Sequence, residues 1–310
     1  MLLNAGRIVR RLLCPVGLTC VLLVPPAFAS TASVPEGRDY ILWYRNYDNP
    51  AIQALVRLAL DKTPEYGDYL LVRSEELSQG RVLRELANQN SRLVDIANVA
   101  TTPERESMLA AVPVPVDGGL LGFRVCLVLP ENLSKFENIH SIKDLQSRNI
   151  RIGQGSHWPD TPILEGNGIS VITHTRYEIL FGMLHNQRFD CFARGISEVM
   201  FDMSQEKAQG LVIEPGLLLA YAMPSYLFVA PGDQQTAHRL QLGLERAIID
   251  GSFAKYLKNA FGKAVSELGL EARAVLKLEN PYLTDDSDYI GRRTLEDLRR
   301  RIEYLASDKP

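Results

Sequence analysis

The sequence predicts a two-lobed α/β protein, two α/β units in tandem whose strand-end loops face a shared crevice. Three observations carry that prediction. Short apolar strands alternate with amphipathic helices, the signature of a mainly parallel α/β architecture. The 310-residue chain is longer than one typical domain and has room for two cores of ordinary size. The alternation also runs as two successive series, the second starting near Gly119.

The first series begins with the strand Tyr40-Ile41-Leu42-Trp43-Tyr44. Pro50 opens a helix carrying Ile52, Leu55, Val56, Leu58 and Ala59, which Thr63-Pro64-Glu65-Tyr66-Gly67 closes. Tyr69 to Val72 is the second strand. Val82, Leu83 and Leu86 mark a helix before the third strand at 93–100. Right-handed crossovers in such a β-α-β-α-β unit place its loops along one sheet edge. The second series opens with a long strand, Leu120 to Val128, and continues with a short helix at Ile142 to Leu145. A strand at Ile150 to Ile152 then ends in Gly153-Gln154-Gly155-Ser156-His157-Trp158. A helix from about 159, a strand at Ser170 to Ile172, a helix over 176–186 and a strand at Phe189 to Ala193 follow, then a helix from about Ile196. A strand at Tyr226 to Val229, a helix over 235–249, Asp250-Gly251-Ser252-Phe253 and one more helix complete the body. This divides the chain into lobe one, residues 38–118 together with 224–284, and lobe two, residues 119–223. In the tail, residues 285–310, Leu295, Leu298, Ile302 and Leu305 recur at helical spacing and predict an appended amphipathic helix.

The first 29 residues read as a signal peptide. Arg7, Arg10 and Arg11 form a positive start, an apolar run from Leu12 to Val24 follows, and Ala27-Phe28-Ala29 supplies the small-x-small cleavage pattern. The run is shorter than the about 20 residues that span a bilayer. Neither Cys14 nor Cys20 follows a Gly, Ala or Ser, which argues against a lipoprotein site, and no later segment is apolar enough to cross a membrane. The expectation is export to the periplasm with cleavage after Ala29. Losing the three arginines takes the formal charge from −3 to −6, which argues against a nucleic-acid partner. Cys126 and Cys191 then remain, both in apolar strand-like runs. Two buried thiols is the plain reading, with a disulfide as the alternative in an oxidising compartment.

Four stretches, in order, resemble the periplasmic solute-binding proteins of the amino-acid type (family 3, type II two-lobe fold) over about residues 38–284. Ala100-Thr101-Thr102-Pro103-Glu104-Arg105 matches that family's T-x-T-x-x-R-like strand end, with Met108 to Pro115 as its hinge. Asp144-Leu145 through Ile152-Gly153-Gln154-Gly155-Ser156 matches the strand with a glycine-rich end. Leu184 to Asp190 matches the L-x-x-G-R-x-D strand, and Leu244 to Phe253 the closing helix and DG(S/T). The resemblance implies that Arg105 pairs with a ligand carboxylate, which suits a guanidinium fork that stays charged. Thr101 and Thr102 would complete the anion's coordination. The other reading of Arg105 is a solvated charge paired with Glu104 or Glu106. Gly153-Gln154-Gly155-Ser156 reads as a facing anion shelf of backbone amides before a helix N-terminus. The stretch is not a dinucleotide fingerprint, because Trp158 stands where a third glycine belongs. His157 and Trp158 line the cleft or, alternatively, cap and pack. Tyr44 and Tyr47 are candidates for stacking on the ligand, or core.

The chain departs from the family where amino-acid binders place an aspartate for the ligand ammonium. Five residues after Asp190 stands Gly195, preceded by Arg194, with Glu198 one helical turn on. An arginine repels an ammonium unless Glu198 neutralises it, and an internal Arg194–Glu198 pair is the alternative. The loop Arg45-Asn46-Tyr47-Asp48-Asn49 also lacks the usual apolar-aromatic character. No catalytic site is expected. There is no G-x-S-x-G elbow, the two cysteines sit inside strands, and the five histidines show no metal spacing. The expectation is a monomer, without cofactor, that binds a small polar solute, anionic or amino-acid-like, for delivery to an inner-membrane permease of an ABC transporter. The alternatives are a periplasmic sensor reporting to a membrane signalling protein and, more remotely, a hydrolase on the same scaffold.

Overall fold

The computed structural model describes residues 37–282. The expected signal segment (1–29) and the expected tail helix (285–310) therefore lie outside the described residues. Within the described range, local chemistry sets the helix starts. β1 (Arg38–Leu42) leads into the short α1 (Tyr44–Tyr47) and then α2 (Pro50–Asp61). The Asn49 side chain accepts from the amides of Ala51 and Ile52 at 3.0 and 3.3 Å, and Pro50 occupies the first turn where its missing N–H costs nothing. After β2 (Tyr69–Arg73) come α3 (Gln79–Ala87), β3 (Ala97–Ala100), α4 (Pro103–Met108) and β4 (Ala110–Val112). β1 and β2 run parallel, a bridge joins Leu42 to Ile96, and β3 and β4 flank a later strand in antiparallel pairing.

The second lobe is built on β5 (Phe123–Val128), buried along its whole length. The expected strand start at Leu120 is instead a 3-10 turn over Leu120–Gly122, which the positive φ of Gly119 introduces. α5 (Ile142–Ser147), β6 (Arg151–Gly155), α6 (Asp160–Gly166), β7 (Ser170–His174), α7 (Tyr177–His185), β8 (Cys191–Gly195) and α8 (Ile196–Met203) follow. Two short strands, β9 (Val212–Ile213) and β10 (Leu217–Ala220), precede β11 (Ser225–Val229), α9 (Gln234–Ile249), α10 (Ser252–Glu267) and β12 (Ala274–Lys277). The larger sheet has the order β12-β10-β5-β8-β6-β7, with β9 on β5. β11 returns to the first lobe between β3 and β4.

Two expectations change here. β12 pairs with β10 in parallel, so the end of the 224–284 stretch belongs to the second lobe's sheet. Its partner is distant in sequence, and no local pattern announces the crossing. Cys126 and Cys191 are bonded to each other, so the buried-thiol reading is wrong. β5 and β8 are antiparallel neighbours with Cys126 opposite Ala193, which brings the two cysteine Cα atoms to 5.1 Å, inside the usual disulfide range. The largest apolar cluster draws on both lobes, including Leu42, Leu55 and Leu244 from one and Phe181 and Phe192 from the other. No described helix is long and apolar enough to cross a membrane.

Candidate functional site

A cavity of about 140 Å³ lies between the lobes, in the crevice past the carboxyl ends of the strands, where open α/β sheets bind ligands. Tyr44, Arg45 and Asn46, just past β1, and Ala100, the last residue of β3, form its first wall. Trp158 after β6, Tyr177 at the start of α7, Arg194 in β8 and Glu198 in α8 form the second.

Two buried arginines organise the second wall. Arg124 Nη2 lies 2.7 Å from Asp160, Nη1 lies 2.9 Å from Glu198, and Nε donates to the Tyr221 hydroxyl at 3.1 Å. Arg194 pairs with Glu198 at 3.0 Å and donates through Nε to Asp202. The Arg194 guanidinium also lies over Trp158, 4.9 Å from the ring centre. Asp202 accepts from the Tyr177 hydroxyl, and Asp160 from that of Tyr221. Burial works to raise the Glu198 carboxyl, but Arg194, then Arg124 and Arg45, outweigh it and hold it at about 2. Asp117, just before β5, differs. Burial raises its pKa, opposed by hydrogen bonds from Ser197 (2.7 Å) and the Gly119 amide (3.0 Å).

Of the residues singled out in the sequence, Tyr44, Trp158, Arg194 and Glu198 line this cavity. The Tyr44 hydroxyl donates to Glu178 at 2.6 Å, tying the first wall to the second. Arg194 and Glu198 form the internal pair that was the alternative reading. Arg105 is buried but does not line the cavity. Its fork donates to the carbonyl of Ala100, to Gln79 Oε1 at 2.9 Å and to the carbonyl of His157 at 2.7 Å. No carboxylate lies within 4.0 Å of it among the described residues, and burial lowers its pKa to about 10. Thr102 is the N-cap of α4, accepting from the Arg105 amide at 3.2 Å, and the Thr101 hydroxyl donates to Glu106. Neither threonine faces the cavity.

The glycine shelf is also corrected. β6 runs on to Gly155, which pairs with His174, and the Ser156 amide donates to the His174 carbonyl at 3.0 Å. Gly153 and Gly155 leave room for rings: an added Cβ would stand 2.2 Å from Phe189 and 2.5 Å from Trp158. Ser156 and His157 are exposed and outside the lining, with the His157 ring against Gly80 of α3. Tyr47 packs against the apolar cluster instead of the cavity.

The sequence reading missed Arg45, Asp117, Arg124, Asp160, Asp202 and Lys207, all in the lining. One of them was signalled: Arg124 is a charge inside an otherwise apolar strand, which demands buried partners. Arg45 and Lys207 each stand 4.0 Å from the centre of the Tyr177 ring. Among the described residues, no group of three or more His, Cys, Asp or Glu is placed to hold a metal ion.

No protein-family model matches the chain, and no curated protein matches it in sequence. Solved structures do. An amino-acid ABC transporter substrate-binding protein from Streptococcus pneumoniae, bound to L-arginine, is 14% identical with a TM-score of 0.53, covering 72% of this chain and 93% of its own. A periplasmic binding protein from Salmonella typhimurium with high arginine specificity is 13% identical at 0.53, covering 72% and 99%. An ancestral amino-acid-binding protein, described as a precursor of cyclohexadienyl dehydratase, is 14% identical at 0.50, covering 73% and 93%. At these identities the likeness shows the fold: the chain has the two-lobed type II periplasmic-binding-protein fold.

Proposed function

We propose that this protein binds a small polar, amino-acid-like solute in the cleft between its lobes, in the periplasm, and delivers it to an ABC-transporter permease. One observation carries the reading: both lobes contribute polar and aromatic walls to one cavity, with a hydrogen bond from Tyr44 to Glu178 between its walls and one from Arg105 to His157 joining the lobes beside it. Closing two lobes on a solute is the ordinary motion of such hinged domains. The neighbours that bind arginine or other amino acids on this fold support the solute class. The anionic alternative loses the support that a ligand-facing Arg105 would give it, because Arg105 is engaged with carbonyls, and Arg194 is matched by Asp202 and Glu198. The membrane partner is a permease in this reading, and the neighbours named as transporter components favour it over a sensor.

The test is to purify the protein natively, record its intact mass under native conditions, and identify any small molecule it releases on unfolding. A stoichiometric small polar molecule that rebinds the stripped protein by calorimetry is the expected result. Absence of any released molecule, with no thermal shift across amino acids and small organic acids, overturns the reading. Conversion of the released compound on incubation would replace binding with catalysis.

A further inference from the structure

One carboxylate in the cavity wall has no cation to answer it. Among the other lining acids, Asp48 lies within 4.0 Å of Arg73, Asp160 of Arg124, Asp202 of Arg194, and Glu198 of both Arg124 and Arg194. Glu178 is kept low against burial by the Tyr44 hydroxyl and then by the charges of Arg45 and Lys207. Asp117 is the exception. It lines the cavity at 2% exposure and accepts from Ser197 and the Gly119 amide, both neutral. No Lys, Arg or His nitrogen among the described residues lies within 4.0 Å of it. The charge that acts most on it is the like charge of Glu198, which repels it.

A second polar group close by is also unanswered. The Tyr256 hydroxyl, on α10, is buried with no hydrogen-bond partner among the described residues, and the charge acting on it is that of Asp117. Tyr256 is 8% exposed and stands edge-on to Phe261, with 6.0 Å between ring centres, and Phe261 lines the cavity. Ser197 ties Asp117 to α8, and Phe201, one turn further along that helix, lines the cavity too. A buried carboxylate without a cation is costly, and so is a buried hydroxyl without a partner. An ammonium answers both at once, because it carries three N–H donors on one compact charge. Aromatic rings beside it suit a cation on a short carbon body.

We propose that Asp117 anchors the ammonium group of the solute, with the Tyr256 hydroxyl as a second acceptor, and that the cleft takes small primary amines for which a carboxylate is no requirement. This rests on the reading of the cleft as a solute site and names the group that the site recognises. Arg105 is bonded to carbonyls and Arg194 to Asp202 and Glu198, so neither is free to demand a carboxylate. Phe201 and Phe261 supply the apolar surround for the carbon chain next to the nitrogen.

Calorimetry on the ligand-stripped full chain tests it, with propylamine and butylamine as probes and with butanol and butyrate as neutral and anionic controls of similar shape. An amine should bind, and neither control should give a measurable heat. Asp117→Asn keeps a side chain able to bond Ser197 and the Gly119 amide. It should weaken the amine by about thirtyfold or more, the usual loss for truncating one side of a buried charge pair. Tyr256→Phe removes a hydroxyl with nothing bonded to it, so the free protein should be as stable as before or more so. Its amine affinity should nevertheless fall by about tenfold, the loss of one hydrogen bond to a charged group. That combination separates a ligand role from a structural one, and it keeps the test decisive if Asp117→Asn does not fold. Butanol or butyrate binding as tightly as the amines, or an unchanged amine affinity in either folded variant, overturns the assignment. If no amine binds while the purified protein releases a solute without an ammonium group, the assignment fails and solute binding stands. If nothing binds and nothing is released, the reading of the cleft fails with it.

Discussion

Glu198 shows how far one side chain can be moved by its neighbours. Its carboxyl, ordinarily near 4.5, is held at about 2 because Arg194, Arg124 and Arg45 together outweigh the opposing effect of burial. A carboxyl depressed in the folded state adds stability above its unfolded pKa and loses it as pH falls toward the folded value. Melting temperature should therefore drop between about pH 5 and pH 2. The Glu198→Gln protein should melt lower at neutral pH, with a shallower slope, so that the two curves converge near the acid end; parallel curves would mean that Glu198 is not coupled to the arginines. Asp202, 2% exposed, is a harsher case. Asp202→Asn leaves the Arg194 guanidinium with Glu198 alone, and breaking a buried pair in this way costs about 3–5 kcal/mol, measurable by denaturant unfolding. At this scale the sequence was half legible. It marked Arg194 and Glu198 because they depart from a familiar pattern, and Asp202, one turn after Glu198 on α8, was within reach of the same spacing argument; Arg124 on β5 and its partner Asp160 lie on other elements, and nothing in sequence spacing ties them to this group.

Among the elements, α2 and α9 pack with their backbones in close contact. A Cβ added at Gly243 would stand 1.9 Å from the carbonyl oxygen of Ala59, backbone against backbone, so no rotamer change relieves it. Gly243→Ala should destabilise by at least about 1–3 kcal/mol through forced separation of the helices, read as a lower denaturant midpoint at similar slope. The disulfide joins β5 to β8 across a sequence separation of 65, and reducing it should cost roughly 2–5 kcal/mol. Most of the longer elements were legible because capping and periodicity are local: Asn49 before Pro50 and the apolar stripe of α2 are examples. β10 and β12 were not read. Leu217–Ala220 is too short to stand out beside longer runs, and Ala274–Lys277 finds its partner only through a fold-level return to the second lobe. The glycines at 153 and 155 were misread for a related reason. A glycine that admits a ring looks the same in sequence as one that admits a ligand.

For the whole molecule, the decisive question is what holds the lobes together, and Arg105 answers part of it. Its guanidinium is anchored in the first lobe by the Ala100 carbonyl and Gln79, and reaches the His157 carbonyl of the second. Tyr44 and Glu178 make a second crossing. Hydrogen bonds from charged donors contribute about 1.5–3 kcal/mol each, enough to tilt an equilibrium between open and closed forms. Arg105→Ala should therefore favour the open form, with a larger radius of gyration in solution scattering of the ligand-free protein. Because affinity scales with the population of the binding-competent form, every solute should then weaken by a similar factor, about ten- to a hundredfold if one such bond is lost. A direct ligand clamp predicts otherwise. If Arg105 leaves its carbonyls to grip a carboxylate when solute enters, Arg105→Ala would weaken carboxylate-bearing solutes selectively and leave the scattering curve of the free protein unchanged. Uniform weakening with an expanded free form assigns Arg105 to closure; selective weakening with an unchanged form returns it to the ligand.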